Sequence, residues 1–230
     1  MQRIYRVSAD GRPHPLAIRD AAAHLRAGCL ALVPTETVYG VGVCVSAYAS
    51  CEGEPSDESG YGRIFTLKRR ERRQTVPWLV AGAEALDAFG VDVPDEAYRL
   101  AEAFWPGALT IVVRASDAVP AFMRAADGTV ALRASASPVI RALVRACGSP
   151  LAVTSANTHG APAPASFEEV EPRILAGSDI ALDAGATVCR DASTIVSCAH
   201  GAPEILRHAA LPDERVRAVL TPDSAPDKER

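Results

Sequence analysis

Apolar residues in this chain follow two different spacings. Over residues 16–27, LAIRDAAAHLRA, positions Leu16, Ile18, Ala21, Ala22 and Leu25 fall near one helical face, and Gly28 supplies a C-terminal stop. Residues 30–33 instead form an unbroken apolar run, LALV, of the length of a strand covered on both faces. Pro34 ends that run because it has no N–H to give to a ladder, so the pattern predicts a turn at Thr35. Beyond it, two threonines, a glutamate and a tyrosine crowd ahead of Gly40 and Gly42, where glycine permits positive φ or close backbone approach. The segment reads equally as a strand end that presents a ligand site or as a tight loop with a hydroxyl-rich cap.

The two spacings continue downstream. Residues 47–62 lose periodicity and carry Glu52, Glu54, Asp57 and Glu58, which predicts an exposed, mobile acidic loop. A helical turn over 63–70 leads to an apolar run at 76–80, then helices at 83–89 and 95–104 and strands at 109–114 and 129–133. A helix over 138–147 opens with proline and stops at Gly148, followed by a strand at 151–154. A helix over 167–175 and strands near 180–182, 194–198 and 204–207 complete the pattern. Helices alternating with strands predict an α/β protein (α+β in some schemes) with a twisted mixed sheet. No linker divides it, so a single domain over 1–220 is expected, with a disordered tail over 221–230.

Composition narrows the function classes. With 48% hydrophobic and 23% charged residues, the 230-residue chain has the make-up of an ordinary soluble globule. No apolar run approaches the roughly eighteen residues of a membrane span, and the first residues lack the apolar centre of a signal peptide, so a cytoplasmic location and no membrane partner are expected. The six cysteines form no CxxC pair, which points to neither a zinc site nor a disulfide framework, and no metal-ligating residues are assigned. A net charge of −4 argues against non-specific nucleic-acid binding. Of 24 basic residues only Lys68 and Lys228 are lysines, and Lys68 heads the run KRRERR. The charge run reads as a solvated helix end or as a place where a compact ammonium is used.

Three polar clusters could share one crevice: Thr35 with its neighbours, Lys68 with Arg70, and Ser155 with Asn157. Together they would offer hydroxyl and amide donors beside fixed positive charge, a combination suited to a nucleotide and an amino acid. No Walker loop, GxGxxG or HExxH occurs. GxSxG is also missing, and His159 lies only four residues beyond Ser155 along a loop, so acyl-enzyme chemistry is not supported.

Six blocks in order carry a resemblance: PTETVYG at 34–40, KxR at Lys68 and Arg70, WPGALT at 105–110, ALR at 131–133, TSAN at 154–157 and STIV at 193–196. Over roughly residues 14–220 the chain resembles the YrdC-like threonylcarbamoyl-AMP synthases in their short, single-domain form. The resemblance implies a YrdC-like domain with helices flanking the sheet around a concave basic cavity. It also implies ATP-dependent conversion of L-threonine and bicarbonate to threonylcarbamoyl-AMP and pyrophosphate, with Mg2+, as the first step of threonylcarbamoyladenosine modification of tRNA. Further implied partners are double-stranded RNA or tRNA and a downstream threonylcarbamoyl transferase complex.

Carried over by position, Lys68 and Arg70 would be catalytic, Thr35, Arg114 and Arg133 would bind substrate, and Thr110, Ser155, Asn157 and Ser193 would bind the nucleotide. Departures from the family pattern are Arg69 and Glu71 in the KxR block, Ser135 where a proline is usual, and His159 after TSAN. The acidic stretch at 47–62 is longer than usual and is expected to fold over the KRRERR face as a lid or charge mask. The alternatives are a YciO-like relative acting on a related carbamoyl substrate and a non-enzymatic RNA binder.

Overall fold

The computed structural model describes residues 3–7 and 13–221, so the tail expected beyond Thr221 lies outside the described residues. Ten strands form one sheet: β1 (Arg3–Arg6), β2 (Ala31–Pro34), β3 (Tyr39–Cys44), β4 (Trp78–Val80), β5 (Leu109–Arg114), β6 (Thr129–Ala134), β7 (Leu151–Ser155), β8 (Ile180–Asp183), β9 (Thr194–Ser197) and β10 (Glu204–Arg207). Their order is β1-β8-β2-β3-β7-β4-β6-β5-β9-β10. The pairs β1/β8, β2/β8, β4/β6 and β5/β9 are parallel and the rest antiparallel, so the sheet is mixed as the element pattern predicts. The helices are α1 (Pro15–Arg26), α2 (Gly60–Lys68), α3 (Glu84–Phe89), α4 (Asp95–Phe104), α5 (Pro138–Cys147), α6 (Pro172–Ala176) and α7 (Asp213–Leu220).

Successive residues of a strand face opposite sides, and here the alternation feeds two separate cores. Leu32, Val41, Trp78, Ile111, Leu132 and Val196 point into the larger one, beneath α2, α3, α4, α6 and α7. Val33, Cys44, Leu79, Leu151 and Val153 point the other way, against Ile18, Ala21, Ala22 and Leu25 of α1 and Ile140, Leu143 and Val144 of α5. Those two helices cover only the β8–β2–β3–β7–β4 part of that face. Both open with proline in the first turn, and α5 is capped by the Ser137 hydroxyl and stopped by Gly148 at φ 63°.

Several expectations change. The stretch after Pro34 is a tight hairpin turn at residues 35–38 followed by β3, a fully buried strand. Its alternating glycines hid it, and their purpose is close approach: a methyl on Gly42 would lie 2.3 Å from the Ala152 carbonyl oxygen of β7. The helix expected over 167–175 contracts to α6 because Pro172 starts the helical run and residues before it form turns. Strand β1 and helix α7 were not foreseen.

Candidate active site

Where α1 and α5 stop, the same sheet face continues across β6, β5 and β9 without a covering helix. The residues that reach it have the phase of Leu79 and Val153: Arg133, Ala131 and Thr129 on β6, Thr110 and Val112 on β5, Ile195 and Ser197 on β9. They floor a cavity of two adjoining lobes, of about 90 and 550 Å³, that share Pro77, Thr154, Ser155 and Arg207. The sequence pointed to strand ends; the cavity in fact runs along a sheet face and receives strand ends at one side.

In the smaller lobe the hairpin turn after β2 presents a hydroxyl network. Thr35 Oγ1 lies 2.7 Å from Thr37 Oγ1, donates to the Val38 carbonyl at 2.7 Å and accepts the Val38 N–H at 3.1 Å. Across from it Arg133 is held by three contacts: Nε donates to the Gly107 carbonyl, Nη1 to Thr37 Oγ1, both at 3.0 Å, and Nη2 sits 2.6 Å from Glu36 Oε1. The Arg133 and Glu36 side chains are only 7% and 10% exposed. Burial acts to raise the Glu36 pKa, but Arg133 together with the Ser135 hydroxyl and the Ala136 N–H outweighs it and holds the carboxyl below its ordinary range. Ser135, which departs from the family's proline, thus serves as a donor to Glu36. Thr110 Oγ1 and Ser193 Oγ pair at 2.8 Å on the same wall.

The larger lobe gathers the cations. Lys68, at the C-terminus of α2, is 2% exposed, and its ammonium donates to the Ser155 carbonyl at 2.5 Å, the Asn157 carbonyl at 2.8 Å and Asn157 Oδ1 at 3.3 Å. Burial first, and Arg70 second, lower its pKa to about 8. Arg70 donates to Thr154 Oγ1 at 3.0 Å and to the Thr75 carbonyl at 2.5 Å. The Asn157 amide is spent on the Thr158 and Ala161 carbonyls, at 2.9 and 2.6 Å, so it shapes its loop. Arg73 and His159 also reach this lobe, and Asp127 is the one carboxylate among its lining residues.

Two participants were missed in the sequence. Glu36 lies inside the PTETVYG block, where a lone carboxylate among hydroxyls carries no signal; its role comes from Arg133, a partner far away in the chain. Arg207 lines both lobes, donating to the Ser193 carbonyl at 2.9 Å and to Ser193 Oγ at 3.1 Å. A β-bulge explains why it was invisible: Ile205 pairs with Val196, yet Arg207 pairs with Ile195, so the extra residue turns Arg207 onto the cavity face.

One residue assigned from the sequence does not come to the cavity. Arg114 shares the phase of Thr110 and Val112 but ends β5, where it is half exposed and pairs with Asp92 at 2.6 Å. The remaining eight, Thr35, Lys68, Arg70, Thr110, Arg133, Ser155, Asn157 and Ser193, line one lobe or both. The acidic stretch at 47–62 lines neither lobe; it meets the KRRERR run through Arg72, on the outside.

The profile of the Sua5/YciO/YrdC family, described as telomere recombination, matches residues 23–209. A Mycobacterium tuberculosis protein, named provisionally as a threonylcarbamoyl-AMP synthase, is 34% identical over 94% of this chain and 95% of its own length. The threonylcarbamoyl-AMP synthase of Pyrococcus abyssi is 34% identical over 88% of this chain and 57% of its own, so this chain spans little more than half of that longer relative. The crystal structure of P. abyssi Sua5 complexed with L-threonine superposes with a TM-score of 0.83 at 31% identity, covering 95% of this chain and 60% of that one.

Proposed function

From the premise that this chain belongs to the Sua5/YciO/YrdC family, we propose that it is a threonylcarbamoyl-AMP synthase: it joins L-threonine, bicarbonate and ATP, releasing pyrophosphate. The observation that carries the reading is the pair of lobes. Lys68, Arg70, Arg73, Arg133 and Arg207 line a cavity whose lining holds one carboxylate, Asp127, and even with Arg133 paired to Glu36 behind the wall the balance stays positive in a chain whose net charge is −4. Positive charge concentrated in a cleft is what a triphosphate requires.

Size and chemistry divide the labour. The larger lobe, with an apolar floor of Val112, Ala131, Ile195 and Leu206 beneath the Lys68 and Arg70 wall, has the dimensions of a nucleotide site. The smaller lobe, rich in hydroxyls and bordered by Arg133 and Arg207, suits an amino acid whose carboxylate and hydroxyl both need partners. This grouping moves Thr110 and Ser193 from nucleotide binding to the amino-acid side. Thr154, Ser155 and Arg207, common to both lobes, mark the junction where the reacting groups would meet.

There the threonine nitrogen bonds the bicarbonate carbon with loss of water, giving a carbamate. A carbamate oxygen then attacks the α-phosphorus while the bond to the departing pyrophosphate breaks. Arg207 and Arg70 offset charge on the phosphoryl oxygens. Lys68 adds charge from below and fixes the carbonyls of residues 155 and 157, so that Ser155 Oγ faces the junction. Magnesium would enter as the counter-ion of the triphosphate, bound mainly through phosphate oxygens. A cytoplasmic location and handover of the product to a tRNA-modifying transferase belong to the same reading.

Incubation with ATP, magnesium, threonine and bicarbonate should yield threonylcarbamoyl adenylate, detected by mass spectrometry, and one pyrophosphate per product. ATP bound but never cleaved in the presence of all four would refute the reading.

A further inference from the structure

The KRRERR run alternates its attachments. Lys68 and Arg70 turn inward to β7 and the loop that follows it, whereas Arg72 turns outward into the acidic segment 51–59. Its Nη1 donates to the Pro55 carbonyl at 2.9 Å, its Nη2 to Asp57 Oδ1 at 2.5 Å, and Glu54 Oε1 lies 3.4 Å away. The guanidinium also covers the Phe65 ring of α2, 5.6 Å from its centroid. Arg72 is itself only 25% exposed, while Glu54 and Asp57 are 46% and 64% exposed, so the clamping carboxylates remain open to salt.

The acidic segment is in turn seated on the body. Ser59 caps α2 by accepting the Gly62 N–H at 2.9 Å. A methyl on Gly62 would lie 2.0 Å from the Ser56 carbonyl oxygen and 2.7 Å from the Asp57 Cα, so only glycine lets residues 56–57 lie against the helix. That contact sets Asp57 within reach of Arg72. Two residues earlier, Arg70 reaches the cavity from the same irregular stretch of chain, which has neither helix nor strand between α2 and β4 to stiffen it.

We propose that the acidic segment 51–59 is a clamp that, by gripping Arg72 from outside the cavity, positions Arg70 at the wall of the larger lobe. The expected lid thus becomes a positioning device, and Arg72 a positioning residue that never touches ligand. The proposal rests on the synthase reading only where turnover is measured.

The test combines Glu54→Gln with Asp57→Asn, two changes at exposed positions that leave shape intact. Hydrogen exchange followed by mass spectrometry should show the 68–75 segment exchanging about threefold faster, the scale set by loss of a weak exposed ion pair, with the rest of the chain unchanged. The KM for ATP should rise by a similar factor, kcat should fall modestly because Arg70 also offsets charge in the phosphoryl step, and the dependence on added salt should flatten. Unchanged exchange in the neutralised variant would overturn the clamp whatever the turnover. Faster exchange with unaltered ATP affinity, read by calorimetry so that it stands apart from product formation, would overturn the positioning of Arg70. Absence of product from the unmodified protein would count against the synthase reading alone.

Discussion

The sheet face that carries Val33, Cys44 and Leu151 disappears beneath α1 and α5, whereas its continuation across β6, β5 and β9 carries Arg133, Thr110, Thr129 and Ser197 and lines the cavity, with Leu79 and Val153 at the boundary. Strand alternation places both halves in the same phase, so geometry does not separate them. Composition at alternate positions does: the first half offers aliphatic side chains for α1 and α5 to pack on, whereas the second offers guanidinium and hydroxyl groups, which pair with one another and with the surrounding loops instead. The opposite face, apolar along its central strands, anchors both halves alike. A cavity therefore arises here from leaving part of a layer off, over a sheet backed on its other face by the larger core.

Substitutions on either side of that boundary should behave differently. Arg133→Ala should be the most damaging, since it strands the buried Glu36 carboxylate: about 3–5 kcal/mol lost in denaturant unfolding, with no remaining turnover. Adding Glu36→Gln should recover part of the stability and none of the activity. On the covered half, Leu143→Ala should cost about 2–5 kcal/mol through a cavity beneath α5 while leaving nucleotide affinity unchanged. A lost ATP site in that variant would break the comparison.

Lys68 sharpens it through pH. Its folded pKa of about 8 lies below the ordinary 10.5, so between those values the unfolded chain holds more protons. Its contribution therefore makes stability rise as pH climbs from about 8 towards 10.5, and the burial cost is fully present below 8. Burial raises the Tyr39 hydroxyl to about 12, which acts in the opposite sense at the top of this range, so the quantity to measure is the difference between the unmodified protein and Lys68→Met. The rise should vanish in the variant. Ser193→Ala removes the hydroxyl partner of Thr110 and one of the two bonds to Arg207, the other being to the Ser193 carbonyl, which should cost about 1 kcal/mol and raise the KM for threonine. Arg114→Ala breaks only an exposed pair, so a change under about 1 kcal/mol with full turnover is expected.

Much of this was legible in the chain because local signals agreed with the tertiary outcome. Helix α5 has proline at its start and glycine at its end, and β5 and β10 fall at the expected residues. The polar positions Thr35, Ser155 and Asn157 stood out because they follow apolar runs. What stayed hidden depends on pairing between distant strands. The register of β10 against β9, shifted by one bulged residue, decides where Arg207 points, and nothing in ILR records it. Strand β3 escaped because its glycines resemble a turn until β7 lies alongside. Arg114 misled because phase alone says nothing about how far along a strand the cavity extends.

A crystal structure of the protein with a non-hydrolysable ATP analogue and L-threonine tests the central claim most directly. Both ligands should occupy the uncovered half of the sheet face, with the base over Val112, Ala131 and Ile195, the phosphates against Arg70, and the amino acid between Thr35 and Arg133. Density for either ligand elsewhere, for instance in the mainly apolar cavity behind the hairpin turn near Val139 and Val188, would contradict the account.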